Sequence, residues 1–313
     1  MVQYISSNDG PEVPPPYDFP GMTIMSFRLP AEQSKLQALC DRFLNIGSLK
    51  DRGFQYRAAF DFVDMEVVTY PKMVFGEQPV SEWGYASQQE LYFRFFVWKF
   101  LSVSGVLFPK PKPELFFPFI FVDNPWSMIS GRNVIGFPKN MAQFNPTPVL
   151  DVDPLRISIS TPVMEIYSPA TALSWQPIVQ IDPNDEPVRP PGGLWPWIGL
   201  ASRISDPLLN SLLQNFLKVV PNTFSSVQLK QFRDAESPAD ACYQAIVSTP
   251  FTLSNIRMPK PLPSVAVTIK KYGSLDIPGS LGIPENTPLQ PLLQYAVSLD
   301  MRVSGAKNLY VNR

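Results

Sequence analysis

Histidine is missing from all 313 residues of the chain. Its absence excludes Ser-His-Asp and Cys-His catalysis, histidine-ligated zinc and a histidine general base. Any catalyst built here must work with lysine, glutamate, aspartate, tyrosine or arginine. Cysteine is nearly as scarce. Cys40 and Cys242 lie far apart, without metal-ligand or redox spacing, so two reduced, buried thiols are expected. Charge is sparse as well, at 17% of residues, with 26 basic side chains against 27 acidic ones. No dense Lys/Arg run offers a field for nucleic acid or an anionic membrane, and neither partner is expected. No stretch reaches the ~18 apolar residues that a membrane span requires. The opening MVQYISSNDGPEVPPPYDFPG has no basic start and no apolar core of signal-peptide length, so a soluble, cytoplasmic protein is the expectation.

Hydrophobic residues, at 45% of the chain, are enough for a substantial core. The 36 prolines are spread throughout, which argues against a helical bundle and for short segments. Between them, runs rich in aromatic and β-branched residues read as strands at 54–70, 90–101, 116–122, 155–166, 227–233, 242–251, 264–269 and 296–303. Helices are expected at 31–43, with Leu36, Leu39 and Phe43 on one face, and at 208–219 behind an Asp206-Pro207 cap. A shorter third helix is expected at 288–293. Many strands, few helices and no regular β-α alternation indicate an antiparallel α+β domain. Residues 1–20 read as an extended arm preceding a single domain over 21–313. Residues 182–205 read as an insertion whose Trp195 and Trp197 either pack or form a lid.

One lysine stands in a segment almost empty of charge. FFPFIFVDNPW precedes Gly131-Arg132-Asn133-Val134-Ile135-Gly136-Phe137-Pro138-Lys139-Asn140, and MAQFNPTPVL follows it. A lysine amine is a nucleophile only when neutral, and apolar surroundings favour the neutral form. Such an amine attacks ketones and forms a Schiff base. A surface lysine snorkelling over an apolar patch would leave the same composition.

The segment GRNVIGFPK resembles the acetoacetate decarboxylase-like superfamily, whose pattern is Gly-Arg-Glu, an apolar spacer, then an aromatic, Pro and Lys. Leu229-Lys230-Gln231-Phe232-Arg233-Asp234-Ala235, followed by Ala241-Cys242-Tyr243-Gln244-Ala245, is similar to a second family block. Gly84-Tyr85 followed by Glu90 resembles the segment that carries the family's active-site glutamate. The resemblance implies a mostly antiparallel, twisted sheet closing into a cone-like barrel around a pocket, with a few flanking helices. It places the imine-forming lysine on Lys139, a second catalytic group on Glu90, and assembly as a homo-oligomer. There are departures. Asn133 stands where the decarboxylases carry an acid, and Asn140 where they carry a second lysine. Pro20 falls near the position of their early arginine, and Ile135 replaces the glutamine of members acting on pyruvoyl compounds. With Asn140 beside it, Lys139 is expected to rely on burial for its activation.

Alternation in ELYFRFFVWKF puts Glu90, Tyr92 and Arg94 on one strand face. Glu90 either lines the pocket or starts the strand at its solvent end. Arg132 suits a substrate carboxylate or a structural tie. Asn133, Asn140 and Tyr92 are further candidates for substrate contact, and Tyr85 and Tyr243 are other hydroxyls. Arg233 and Asp234 read as an ion pair, with Gln231 or Arg233 as alternative pocket residues. Methionine in place of Lys139 should suit a desolvated site. The function expected is a cofactor-independent lyase forming a Schiff base with a keto acid or related carbonyl compound in specialised metabolism. Decarboxylase, aldolase, dehydratase and cyclase chemistry all remain open. The many aromatics point to a bulky or apolar substrate. A non-catalytic protein holding an apolar carbonyl compound or lipid in the same pocket is the alternative.

Overall fold

The computed structural model describes residues 5, 12–78, 80–149, 154–185, 223–257 and 259–312. The helix expected at 208–219, the tryptophans 195 and 197, and nearly all of the insertion lie outside the described residues, as does half of the arm.

Seven strands close into a barrel: β1 (Tyr17–Pro30), β3 (Phe62–Phe75), β4 (Tyr85–Val103), β6 (Glu114–Val122), β11 (Thr223–Arg233), β12 (Ala241–Ser254) and β15 (Leu293–Val303). Their spatial order is β15-β1-β3-β4-β6-β11-β12, and pairing of Phe251 with Val303 joins β12 back to β15. All these neighbours are antiparallel except β6 and β11. Short strands flank the barrel: β2 (Phe54–Ala58) and β5 (Val106–Pro109) on β4, β7 (Lys139–Met141) on β6, β13 (Lys260–Pro261) on β15 and β16 (Lys307–Asn312) on β12. A second sheet runs in the order β14-β10-β9-β8, from β8 (Gln143–Asn145), β9 (Ile157–Val163), β10 (Ser174–Pro183) and β14 (Val265–Ile269). The helices are α1 (Gln33–Phe43), α2 (Leu49–Arg52), α3 (Pro125–Asn133) and α4 (Ile277–Leu281).

Barrel strands alternate between two apolar clusters, as the pleat dictates. On β4, Leu91, Phe93, Phe95 and Val97 face a core shared with Leu36 and Leu39 of α1, Ile277 of α4 and the second sheet. Tyr92 faces the other cluster, with Tyr17, Phe19, Tyr70, Phe117, Phe137 and Phe251. The first cluster glues the barrel wall to its outer layer; the second fills part of the lumen.

The strands are longer than the proline content suggests, up to the 19 residues of β4. Four of the strand prolines fall at bulges, where a missing N–H breaks no ladder bond. Register shifts coincide with Pro20 in β1, Pro71 in β3, Pro118 in β6 and Pro177 in β10. Residues 17–20, read as part of the arm, begin β1. Residues 288–293 are not a helix: Leu289 bridges to Val267, completing the second sheet's edge. Cys242 is exposed rather than buried.

Phe93 is fully buried on a central strand facing the outer layer. Phe93→Ala should lower unfolding free energy by ~3–5 kcal/mol, read as a reduced denaturant midpoint at unchanged slope.

Candidate active site

The site is assembled by three neighbouring pieces of chain. Asn124 caps α3, its side chain accepting from the backbone N–H of Trp126 at 2.9 Å and of Ser127 at 3.2 Å, with Pro125 opening the first turn. Ser127 thereby points inward, and Gly131 follows one turn later on the same face. After the helix, Gly136 takes a φ of +80°, and a Cβ there would lie 2.8 Å from Cβ of Lys230. That turn feeds β7, where Lys139 pairs with Ile120 of β6. Ile120 is itself opposite Tyr92 on β4, and Glu90 lies two residues along on the same face.

The register brings Lys139 and Glu90 together. Lys139 Nζ donates to Glu90 Oε2 at 3.0 Å and to Ser127 Oγ at 2.8 Å. Both ionic side chains are under one tenth exposed. Gln88 Nε2 donates to the same Glu90 oxygen at 3.0 Å. An ammonium has three donors, so these two partners leave one free to face the lumen. Gly131 makes the arrangement possible, since a Cβ there would sit 2.7 Å from Lys139 Cδ.

A cavity of about 60 Å³ opens beside the amine. Its described lining is mostly apolar, including Phe117, Phe137, Ile120 and Phe251, with Tyr17, Tyr70 and Tyr92 as phenols. Burial first, and then the carboxylates of Glu90 and Glu66, push the Tyr70 phenol well above its ordinary range. Burial and Glu66 do the same to Tyr92. Both therefore act as O–H donors at neutral pH, not as bases.

Elsewhere on the strand faces carrying Glu90 and Tyr92, charges occur in pairs. Arg28 bonds Asp64 at 2.7 Å, Arg94 bonds Glu66, and Tyr92 also donates to Glu66. Glu66 and Ser127 escaped the sequence reading. Glu66 sits two residues before Val68 in an apolar run where period-two alternation could have exposed it. Ser127 needed the α3 cap to be recognised.

Of the residues expected at the site, Lys139, Glu90 and Tyr92 line the cavity together. Arg132 does not line it among the described residues; its guanidinium bonds the Lys139 carbonyl at 3.3 Å, tying α3 to β7. Asn133 donates to Glu12 at 2.8 Å, and exposed Asn140 donates to the Pro138 carbonyl at 3.3 Å. Those side chains serve the loop around the lysine, so substrate contact is not assigned to them. Arg233 donates to the Pro238 carbonyl while Asp234 accepts from the N–H groups of Glu236 and Ser237, so a turn replaces their expected ion pair. Gln231 bonds Gln244 on the surface, Tyr243 bonds Asn308, and Tyr85 is exposed.

The buried pair changes what Lys139→Met should do. Alone, it strands the Glu90 carboxylate without its cation, a loss of ~3–5 kcal/mol for pairs of this kind. Lys139→Met should therefore lower the denaturant midpoint, and adding Glu90→Gln should recover much of the loss. Equal midpoints for wild type and Lys139→Met would show that the pair is not formed.

Residues 1–161 match the profile of the acetoacetate decarboxylase (ADC) family. No curated protein sequence matches the chain. Among solved structures, acetoacetate decarboxylase from Legionella pneumophila aligns with a TM-score of 0.54 at 13% identity, covering 95% of this chain and 88% of that one. An acetoacetate decarboxylase-like enzyme from Sphingomonas wittichii aligns at 0.54 and 15% identity over 99% of both chains. The enduracididine biosynthesis enzyme MppR complexed with pyruvate aligns at 0.52 and 13% identity, over 96% of this chain and 93% of its own. At these identities the structures speak for the fold. The profile match spans more than half of the chain and includes the lysine strand, and it carries the family assignment: the chain belongs to the acetoacetate decarboxylase family.

Proposed function

We propose that the protein is a cofactor-independent lyase that acts through an imine between Lys139 and a small carbonyl compound. The observation carrying this reading is the position of Nζ, held between Glu90 and Ser127 and facing an apolar cavity.

An ammonium must lose a proton before it attacks, and Glu90 Oε2 is the acceptor 3.0 Å away. That transfer converts an ion pair into a neutral amine and acid, so no net charge is left in the lumen. The amine lone pair then adds to the carbonyl carbon. Glu90 returns its proton to the resulting hydroxyl, which leaves as water, and a protonated imine remains. Its remaining N–H stays within reach of Glu90 or Ser127. The cationic nitrogen withdraws electrons from the bond next to the former carbonyl carbon, and breaking that bond yields an enamine. Tyr70, kept protonated, supplies a hydrogen bond to oxygen without competing for the proton, while the one O–H of Tyr92 is given to Glu66.

Cavity size revises the expectation of a bulky substrate. About 60 Å³ holds a few waters' worth of ligand. The aromatic rings build the wall and the two cores more than they define a large pocket.

Incubation with 2-butanone and cyanoborohydride should add a single butyl group by intact mass, mapped to Lys139. The Lys139→Met/Glu90→Gln protein should gain none. An adduct of equal yield in the double variant would place the nucleophile elsewhere and end the imine reading for this lysine.

A further inference from the structure

Charge balance in the lumen narrows the substrate class beyond the imine reading, on which the inference rests. The described cavity lining carries one cation and one anion, Lys139 and Glu90. Among the described residues, three arginines of the motif and the lumen-facing strands are engaged elsewhere. Arg132 is turned to the Lys139 carbonyl, Arg94 is held by Glu66 and Asp64, and Arg28 by Asp64. The phenols of the lining donate hydrogen bonds but carry no charge, being held protonated by burial.

With a keto acid bound as the protonated imine, the described lining would set one positive nitrogen against two carboxylates, that of Glu90 and that of the substrate. One negative charge would be left over among aromatic rings. With an uncharged aldehyde or ketone, the iminium and Glu90 neutralise each other and nothing is left over. An unpaired charge in a dry site is strongly disfavoured, whereas a pair at hydrogen-bond distance is tolerated. The other buried ion pairs obey the same balance, Arg28 and Arg94 against Asp64 and Glu66.

We infer that the cavity, of about 60 Å³, takes a small, uncharged carbonyl compound and discriminates against keto acids. Such a substrate has no carboxylate to lose. The enamine is then reached by moving an α-proton to the Glu90 carboxylate, or by breaking a carbon–carbon bond to release a second, neutral carbonyl fragment whose β-hydroxyl gives its proton to Glu90. In either case Glu90 then returns its proton to the enamine carbon, and the imine so formed is hydrolysed by one water, restoring the amine and the carbonyl oxygen. Glu90 is the specificity determinant: its charge fills the place that a substrate carboxylate would need.

Pyruvamide and pyruvate are matched in shape and differ in charge. Cyanoborohydride trapping of each on the wild-type protein is compared with trapping on Nα-acetyl-lysine, which removes their difference in intrinsic reactivity. The expected result is at least tenfold faster normalised capture of pyruvamide at Lys139. Glu90→Gln should cut that preference at least tenfold, because removing its charge lets a carboxylate balance the iminium. A wild-type protein that captures pyruvate as well as pyruvamide overturns the inference and leaves the imine reading intact. A protein that captures neither overturns the imine reading. The charge preference is also read without covalent chemistry, from protection of Lys139 against an amine-selective acylating reagent. Propionamide should protect wild type at least tenfold better than propionate, with the gap closing in Glu90→Gln. Equal protection of wild type by the two overturns it.

Discussion

An ammonium and a carboxylate 3.0 Å apart, each almost shut off from solvent inside a cavity walled by aromatic rings, impose a condition on everything around them. Neither charge is tolerable there alone, and the pair is tolerable only if its remaining donors and acceptors are met. Ser127 and Gln88 meet part of that need, one from the first turn of α3 and one from β4, and one ammonium donor is left to the lumen. Space for the lysine's methylene stem comes from the missing side chain at Gly131, and the approach of β7 from the left-handed turn at Gly136. The register Lys139–Ile120–Tyr92 then fixes how far along β4 the amine reaches.

The barrel makes this possible by sending alternate residues of each strand to different places. One set binds the wall to α1, α4 and the second sheet, so the wall is held rigid from outside. The other set is free to carry function in the lumen. Polar groups on the lumen face occur in balanced sets, Lys139 with Glu90 and the two arginines with Asp64 and Glu66. That balance links stability to specificity. A ligand that enters the lumen is judged by the same electrostatic rule as the side chains.

Part of the candidate site was legible in the sequence, because it lies in local patterns. The charge-poor run around GRNVIGFPK singles out Lys139, and alternation in ELYFRFFVWKF puts Glu90 and Tyr92 on one face. What sequence spacing could not give is which partner each polar group finds across the barrel. Lys139 and Glu90 are 49 positions apart, and only the β4–β6–β7 register joins them. For the same reason burial looked like the sole influence on the lysine, when a counter-charge is built in. Arg132 and Asn140 share the motif but project into the loop's own hydrogen bonds, and Asn133 reaches Glu12 in the N-terminal segment. Proline frequency misled on strand length, since bulges at Pro20, Pro71, Pro118 and Pro177 absorb residues that would otherwise end a strand.

A crystal structure of the protein after reduction with a small neutral ketone tests the central claim most directly. The account predicts a covalent carbon–nitrogen bond at Lys139 Nζ. Glu90 and Ser127 should remain within hydrogen-bond distance of that nitrogen, and the ketone carbons should rest against Phe117 and Phe251. A reduced adduct on a different lysine, or a Lys139 swung out of the lumen with Glu90 left behind, would contradict it.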